Sequence, residues 1–187
     1  MKLHDILIEA PFMVKQSGYP ADFQHAAERA VALANQYTSY YQEKYRDGDV
    51  SFGEDPSGNM IIVYVDDEAI GMMHLERSRL SKVIGTPSHQ VMNVWIKREH
   101  RNKGIGLKLY NYVLRQRKEG FASACYMTPA SRRLYTSLLG DPSVDVYALL
   151  HNKDGTYQRQ ELNKRTRGLT TGSAVDDARA TFVMVPN

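Results

Sequence analysis

A single cysteine, Cys125, stands among 187 residues, so no intramolecular disulfide can form and the chain fits a reducing compartment. Long apolar runs are also missing. No window approaches the roughly 18 uninterrupted apolar residues of a membrane span. The opening "MKLHDILIEAPFMVK" breaks its apolar stretch with charge, unlike the continuous core of a signal peptide. A soluble cytoplasmic protein with no membrane partner is the expectation. Neither sign of charge dominates: 24 Lys and Arg against 21 Asp and Glu leave a formal +3, with a pI near 8.9. That mild excess favours anionic ligands without demanding nucleic acid. His25, His74, His100 and His151 show no ligand spacing with cysteine or carboxylates, so no metal is expected.

The length suits one domain, residues 1–187, with enough chain to bury a sizeable core. "DILIEAPFMV" reads as a short first strand. Pro20 and Asp22 then signal a helix start. From there Phe23, Ala27, Ala30, Ala34, Tyr37, Tyr41 and Tyr45 recur at spacings of three and four, one face of a long helix with a break near Asn35. Gly48 in "RDGD" ends it. "NMIIVYVDDEAIGMMHL" is the clearest hairpin, with "DDEA" as its turn.

"QVMNVWI" is a further strand and leads through "KREHRNKGIG" into a helix from about Gly104 to Lys118, which Gly120 closes. "FASACYM" is a strand, "TPASRRLYTSLLG" a short helix, and "VDVYALL" and "ATFVMV" are strands. Between these last two, residues 151–179 form a long polar insertion with turn signals.

The glycine pair carries the first chemical signal. A backbone that approaches phosphates needs residues without Cβ, and a helix N-terminus adds unpaired N–H groups and partial positive charge. Gly104 and Gly106 open the helix, so the amides of Lys103 to Leu107 can point at one anion, with Arg101 and Lys103 adding charge. There is no Walker ending, and a dinucleotide fingerprint would need a third glycine where Leu109 sits. A tight strand-to-helix turn with solvated basic residues uses the same glycines.

"VWIKREHRNKGIGLKLYNYVL" resembles the acetyl-CoA signature of the GNAT superfamily of N-acetyltransferases, Arg/Gln-x-x-Gly-x-Gly/Ala, through Arg101, Gly104 and Gly106. The resemblance implies an α/β fold: a mixed, mostly antiparallel sheet of six to seven strands flanked by helices, splayed between the family's fourth and fifth strands. It implies acetyl-CoA as co-substrate. Val94, Trp95 and Ile96 would line the pantetheine arm, and Asn102, Lys103, Gly104, Ile105, Gly106 and Leu107 would hold the pyrophosphate. Tyr135, in the helix after Thr128, matches the position where many members place a tyrosine hydroxyl near the CoA sulfur. A phenol with a pKa of about 10 can protonate a departing thiolate; a core tyrosine on an amphipathic helix is the plainer role. Thr128 stands at the usual asparagine and can still hydrogen-bond CoA. Arg98 replaces the usual proline, and Gly140-Asp141 the usual Gly-Phe.

The implied reaction transfers an acetyl group to a primary amine of a small molecule or protein. Acyl-CoA-dependent modification of a nucleic acid, and a GNAT-like binding module without catalysis, are the alternatives. Some members use a glutamate on the fifth strand as base, but the matching residue is Ser123. His89, whose pKa lies near the working range, and Glu76 are candidates to accept the amine's proton; a water chain serves equally. Cys125 lacks a fixed activating partner and reads as a small buried hydrophobe. The tyrosines of "YTSYYQEKY" suit a homodimer face or one wall of an acceptor groove. "NKRTRG", residues 163–168, permits nucleic acid as a less favoured partner.

Overall fold

The computed structural model describes residues 20–123, 129–162 and 180–187. The expected first strand near residues 5–14, Cys125, Thr128 and the basic run at 163–168 lie outside them. The chain forms two compact units, one of residues 1–74 and 93–105, the other of 75–92 and 106–187.

In the first unit, α1 spans Pro20–Gln36. Ala27, Ala30, Val31 and Ala34, one stripe at spacings of three and four, bury against Met60, Ile62, Tyr64, Ala69 and Met72. Small residues on the helix let it lie close to a sheet face built of larger ones. Burying each large apolar side chain contributes roughly 1.5–3 kcal/mol. Asn35 ends the stripe: its carboxamide accepts from the Ala69 amide at 2.8 Å and donates to the Ala69 carbonyl at 3.2 Å, as a strand partner would.

The tyrosine repeat does not prolong the helix. After a 3₁₀ turn at Thr38–Tyr40 the chain becomes β1 (Gln42–Asp47), which turns at Gly48 into β2 (Val50–Glu54). Tyr41, at 4% exposure, still reaches the core, whereas Tyr45 lies on the strand. Tyrosines four apart satisfy a period of 3.6 and a period of 2 alike, and pairing with β2 decides between them.

The hairpin of β3 (Met60–Val65) and β4 (Glu68–Arg77) forms where expected. Asp66 and Asp67 both adopt positive φ, 50° and 65°, the conformation that two-residue hairpin loops demand and aspartate tolerates. β2 pairs antiparallel with β1 and β3.

In the second unit a one-turn helix, α2 (Ser81–Ile84), precedes β5 (Ser88–Ile96), whose later residues return to the first unit. Helix α3 (Ile105–Asn111) continues through a π-helical stretch, Tyr112–Arg117, and stops at Lys118 in a left-handed conformation. Gly120, expected as the helix stop, instead opens β6 (Gly120–Ala122). A Cβ there would lie 2.9 Å from Val185 Cγ1, so the glycine serves strand packing.

β6 runs parallel to β5, as a helical crossover requires. It pairs antiparallel with β9 (Ala180–Pro186), β9 with β7 (Val144–His151), and β7 with β8 (Tyr157–Glu161). Helix α4 (Pro129–Leu138) leads into β7. Leu109, Val113, Leu114, Phe121, Leu138 and Met184 are buried.

The architecture is mixed α/β with mostly antiparallel strands. The nine strands among the described residues exceed the expected six to seven. β1 was hidden in a helical spacing, β2 follows the Gly48 stop, and β8 falls in the polar insertion, where its mostly exposed residues carry no apolar pattern. No helix among the described residues is long and apolar enough to cross a membrane.

Candidate functional site

The strand-to-helix turn after β5 belongs to the first unit up to Ile105. Strand β4 approaches the end of β5 closely, since a Cβ on Gly71 would sit 2.7 Å from the Trp95 carbonyl oxygen. The Lys97 amide donates to the Ile70 carbonyl at 2.8 Å, and its ammonium pairs with Glu68, which holds that carboxyl below the usual range. A 3₁₀ turn at Arg98–His100 follows. Arg101 folds back, its Nε donating to the Ile96 carbonyl at 2.8 Å.

The backbone then opens. Asn102 and Gly104 take positive φ, 62° and 77°. Among the described residues, the amides of Asn102, Lys103 and Gly104 donate to no backbone oxygen. Those of Ile105 to Leu107 form the first turn of α3, where no carbonyl four residues back is available. Arg101 to Gly104 are exposed, and a Cβ on Gly104 would meet nothing within 4 Å. Three successive N–H groups without a backbone acceptor thus lie in an exposed turn that carries Arg101 and Lys103, suited to an anion. Val94, Trp95 and Ile96 are half-buried on the last turn of β5, and the Trp95 indole packs against the α1 cluster.

In the second unit Tyr135 is 2% exposed on α4. Its hydroxyl lies 3.3 Å from that of Tyr110 on α3, with the rings edge-on at 78° and 5.4 Å between centroids. Burial pushes the Tyr135 phenol up to about 12, and the hydrogen bond from Tyr110 offsets part of that rise. Burial drives Tyr110 well above the ordinary phenol range, so both phenols keep their protons and either can donate across the pair. Nothing in the sequence marks Tyr110 as its partner, because the pairing needs α3 and α4 to be packed together. Leu134 on α4 also closes on Gly106, where a Cβ would come within 3.1 Å.

A cavity of about 300 Å³ lies in the same unit, with Glu76, Arg77, Ser78, Arg79, Gln90 and Ser123 in its lining. It brings together Glu76 and Ser123, residues separated by most of β5 and α3. His89 is not among its lining residues; its Nδ1 lies 3.3 Å from Glu119 Oε2, and that carboxylate also binds Arg117 at 2.6 Å. Arg77 and Arg79 escaped sequence reading, although the alternating "ERSRL" is their one visible signal.

Pairing of β5 with β6 covers Ser88–Gly120, His89–Phe121 and Gln90–Ala122. Beyond that, the Ser123 amide turns to the Phe182 carbonyl at 2.8 Å. Among the described residues, the β5–β6 pairing ends at Gln90–Ala122.

The sequence model of the acetyltransferase (GNAT) family matches residues 19–140, well over half of the chain. The chain belongs to the GNAT acetyltransferase family. The matched span of this GNAT chain holds Arg101, Gly104, Gly106, Tyr110 and Tyr135, and it leaves β7 to β9 outside. No curated protein matches.

Among solved structures, a diaminobutyrate acetyltransferase from Paenibacillus lautus, in complex with L-2,4-diaminobutyric acid and coenzyme A, is 15% identical. The alignment covers 68% of this chain and 69% of that one, with a TM-score of 0.37. Naa50 from Arabidopsis thaliana, bound to a CoA-peptide bisubstrate analogue, is 16% identical over 84% of this chain and 91% of that one, with a TM-score of 0.38. An N-acetylglutamate synthase from Neisseria gonorrhoeae, with coenzyme A and N-acetyl-glutamate, is 10% identical over 90% of this GNAT chain but 33% of its own, with a TM-score of 0.36.

Proposed function

We propose that the chain transfers an acetyl group from acetyl-CoA to a primary amine of a small molecule or protein. The observation that carries the reading is the exposed turn of Asn102 to Gly104, whose amides meet no backbone oxygen among the described residues, inside the family match. A diphosphate has room there, since nothing stands within 4 Å of where a Gly104 side chain would begin. Arg101 and Lys103 add charge, and Val94, Trp95 and Ile96 lead from the turn along the pantetheine arm. Thr128 is the further cofactor contact that the resemblance implies.

In the reaction the amine's lone pair attacks the thioester carbonyl carbon, and the C–S bond then breaks. Tyr135 protonates the departing thiolate, with Tyr110 donating to the Tyr135 oxygen so that the Tyr135 proton points elsewhere. The amine must shed a proton. Glu76, in the cavity that Gln90 and Ser123 also line, is the better placed acceptor, directly or through water; His89 already faces Glu119. Ser123 cannot serve as base.

Titration with CoA, together with thiol release from acetyl-CoA on adding primary amines, tests this. A chain that fails to bind CoA discards the assignment of the turn. Binding without any amine-dependent thiol release discards the transferase and leaves a binding module.

A further inference from the structure

We infer that the cavity beside the end of β4 and the last described β5–β6 pair takes an acceptor that carries a carboxylate beside its amine. The inference rests on the transferase reading above and names its substrate class.

Two guanidinium groups, Arg77 and Arg79, line the cavity. Neither has a carboxylate partner among the described residues, whereas Arg46, Arg115, Arg117 and Arg159 all do. Unspent donors accompany them. The buried Ser78 hydroxyl accepts from the Leu80 amide at 3.1 Å, and the buried Ser123 hydroxyl accepts from the Phe182 amide at 3.0 Å. Each hydroxyl keeps a proton that no described residue takes up. The lining therefore offers more donors than acceptors, and planar guanidinium forks match carboxylates in bidentate geometry.

Glu76 is the single carboxylate among the described lining residues, beside two positive side chains. An amine with a carboxylate a few bonds away is the complementary ligand. Its ammonium would sit toward Glu76 and its carboxylate toward the arginines. The cavity of about 300 Å³ lies at the small end of ligand sites, which suits an amino acid or one terminal residue of a peptide. Gln90 and Ser123 line it beside the last described β5–β6 pair, Gln90–Ala122, so a bound amine would lie next to the end of that pairing.

The test measures kcat/KM with acetyl-CoA for amino acids against their carboxamides, and for short peptides against their C-terminal amides. At least one acid is expected to exceed its amide tenfold or more, and the peptide pair tells a free amino acid from a chain terminus. In an Arg77→Gln, Arg79→Gln double variant that ratio should fall toward one, with the KM for acetyl-CoA changed less than twofold. Equal use of acids and amides overturns the inference, as does a preference that survives the double variant. A large rise in the KM for acetyl-CoA would do the same, since the arginines would then serve the cofactor. Should no amine be acetylated, the transferase reading fails by itself. The cavity is then judged by titrating the same amino acids into CoA-saturated protein: binding lost in the double variant upholds the carboxylate site, and absence of binding ends it.

Discussion

Tyr110 and Tyr135 stand hydroxyl to hydroxyl, 3.3 Å apart, with both rings buried and set edge-on. Two phenols in an apolar interior satisfy each other, and only one can donate along the bond between them. When Tyr110 donates, the Tyr135 proton is left to a third atom, as the proposed acid role requires.

Tyr135→Phe removes that proton and little else. Turnover should fall by on the order of a hundredfold or more, while CoA affinity measured by titration stays near the wild-type value. The variant also leaves the Tyr110 hydroxyl buried without a partner, costing about 1–3 kcal/mol of stability in a denaturant melt. Unchanged turnover would remove Tyr135 from the chemistry.

Tyr110→Phe should act through Tyr135. The Tyr135 phenol stands at about 12 because burial raises it, partly offset by Tyr110. Without Tyr110 its pKa goes higher, and it becomes a poorer acid with a few-fold lower kcat. Wild-type activity should show no loss near pH 10 from this group, because the acid form persists until about 12. The same sign governs folding: a raised phenol pKa contributes stability below about pH 10 that is lost as pH rises through the folded value. A pH–rate profile and alkaline melts on both proteins check this.

Gly104 separates conformation from charge. Its φ of 77° suits glycine and, next best, asparagine. Gly104→Asn should fold and keep most CoA binding. Gly104→Glu puts a carboxylate where the diphosphate would lie and should weaken binding more than tenfold, roughly 1.4 kcal/mol or more. Equal affinities in the two variants would detach the turn from the cofactor.

Gly71→Ala probes the strand beneath the turn. Its Cβ would lie 2.7 Å from the backbone oxygen of Trp95, so strand rather than side chain must yield. A cost of about 1–3 kcal/mol follows, read as a melting temperature lowered by roughly 2–4 °C per kcal/mol.

Asp141, where the family pattern has phenylalanine, has a structural task. It accepts from the Ser143 amide at 2.9 Å and hydroxyl at 2.6 Å, and it pairs with Arg115. The Ser143 bonds first, and Arg115 after them, hold its carboxyl below the usual aspartate range. Its contribution is therefore present above the unfolded pKa and lost as pH falls through the lower folded one. Asp141→Asn should cost less than about 1 kcal/mol at pH 7, and the cost should shrink as pH falls through the folded value, which acid melts can follow.

Much of the fold could be read along the chain. The β-branched run and paired aspartates of β3–β4, the alanine stripe of α1 and the glycine-led start of α3 are local patterns, each satisfied by its own neighbours. β1 and β2 could not be read that way, because the spacing of Tyr37, Tyr41 and Tyr45 fits a helix until β2 offers hydrogen bonds to a strand. Gly120 shows the same limit: it looks like a helix stop, and its absent side chain in fact makes room for Val185.

The candidate cofactor turn was legible for a related reason. Arg101 to Leu107 are contiguous, and a backbone bared by glycine at a helix start is written in residue order. The acceptor cavity was not, since Glu76, Arg79, Gln90 and Ser123 meet only after β4, β5 and β6 have come together. Residue order settles what depends on neighbours a few positions apart: helix stripes, hairpin turns and a phosphate-sized opening in the main chain. How Tyr110 meets Tyr135, which carboxylate shares a cavity with Ser123 and which arginines lack a carboxylate partner among the described residues depend on distances across packed elements, and packing alone sets them.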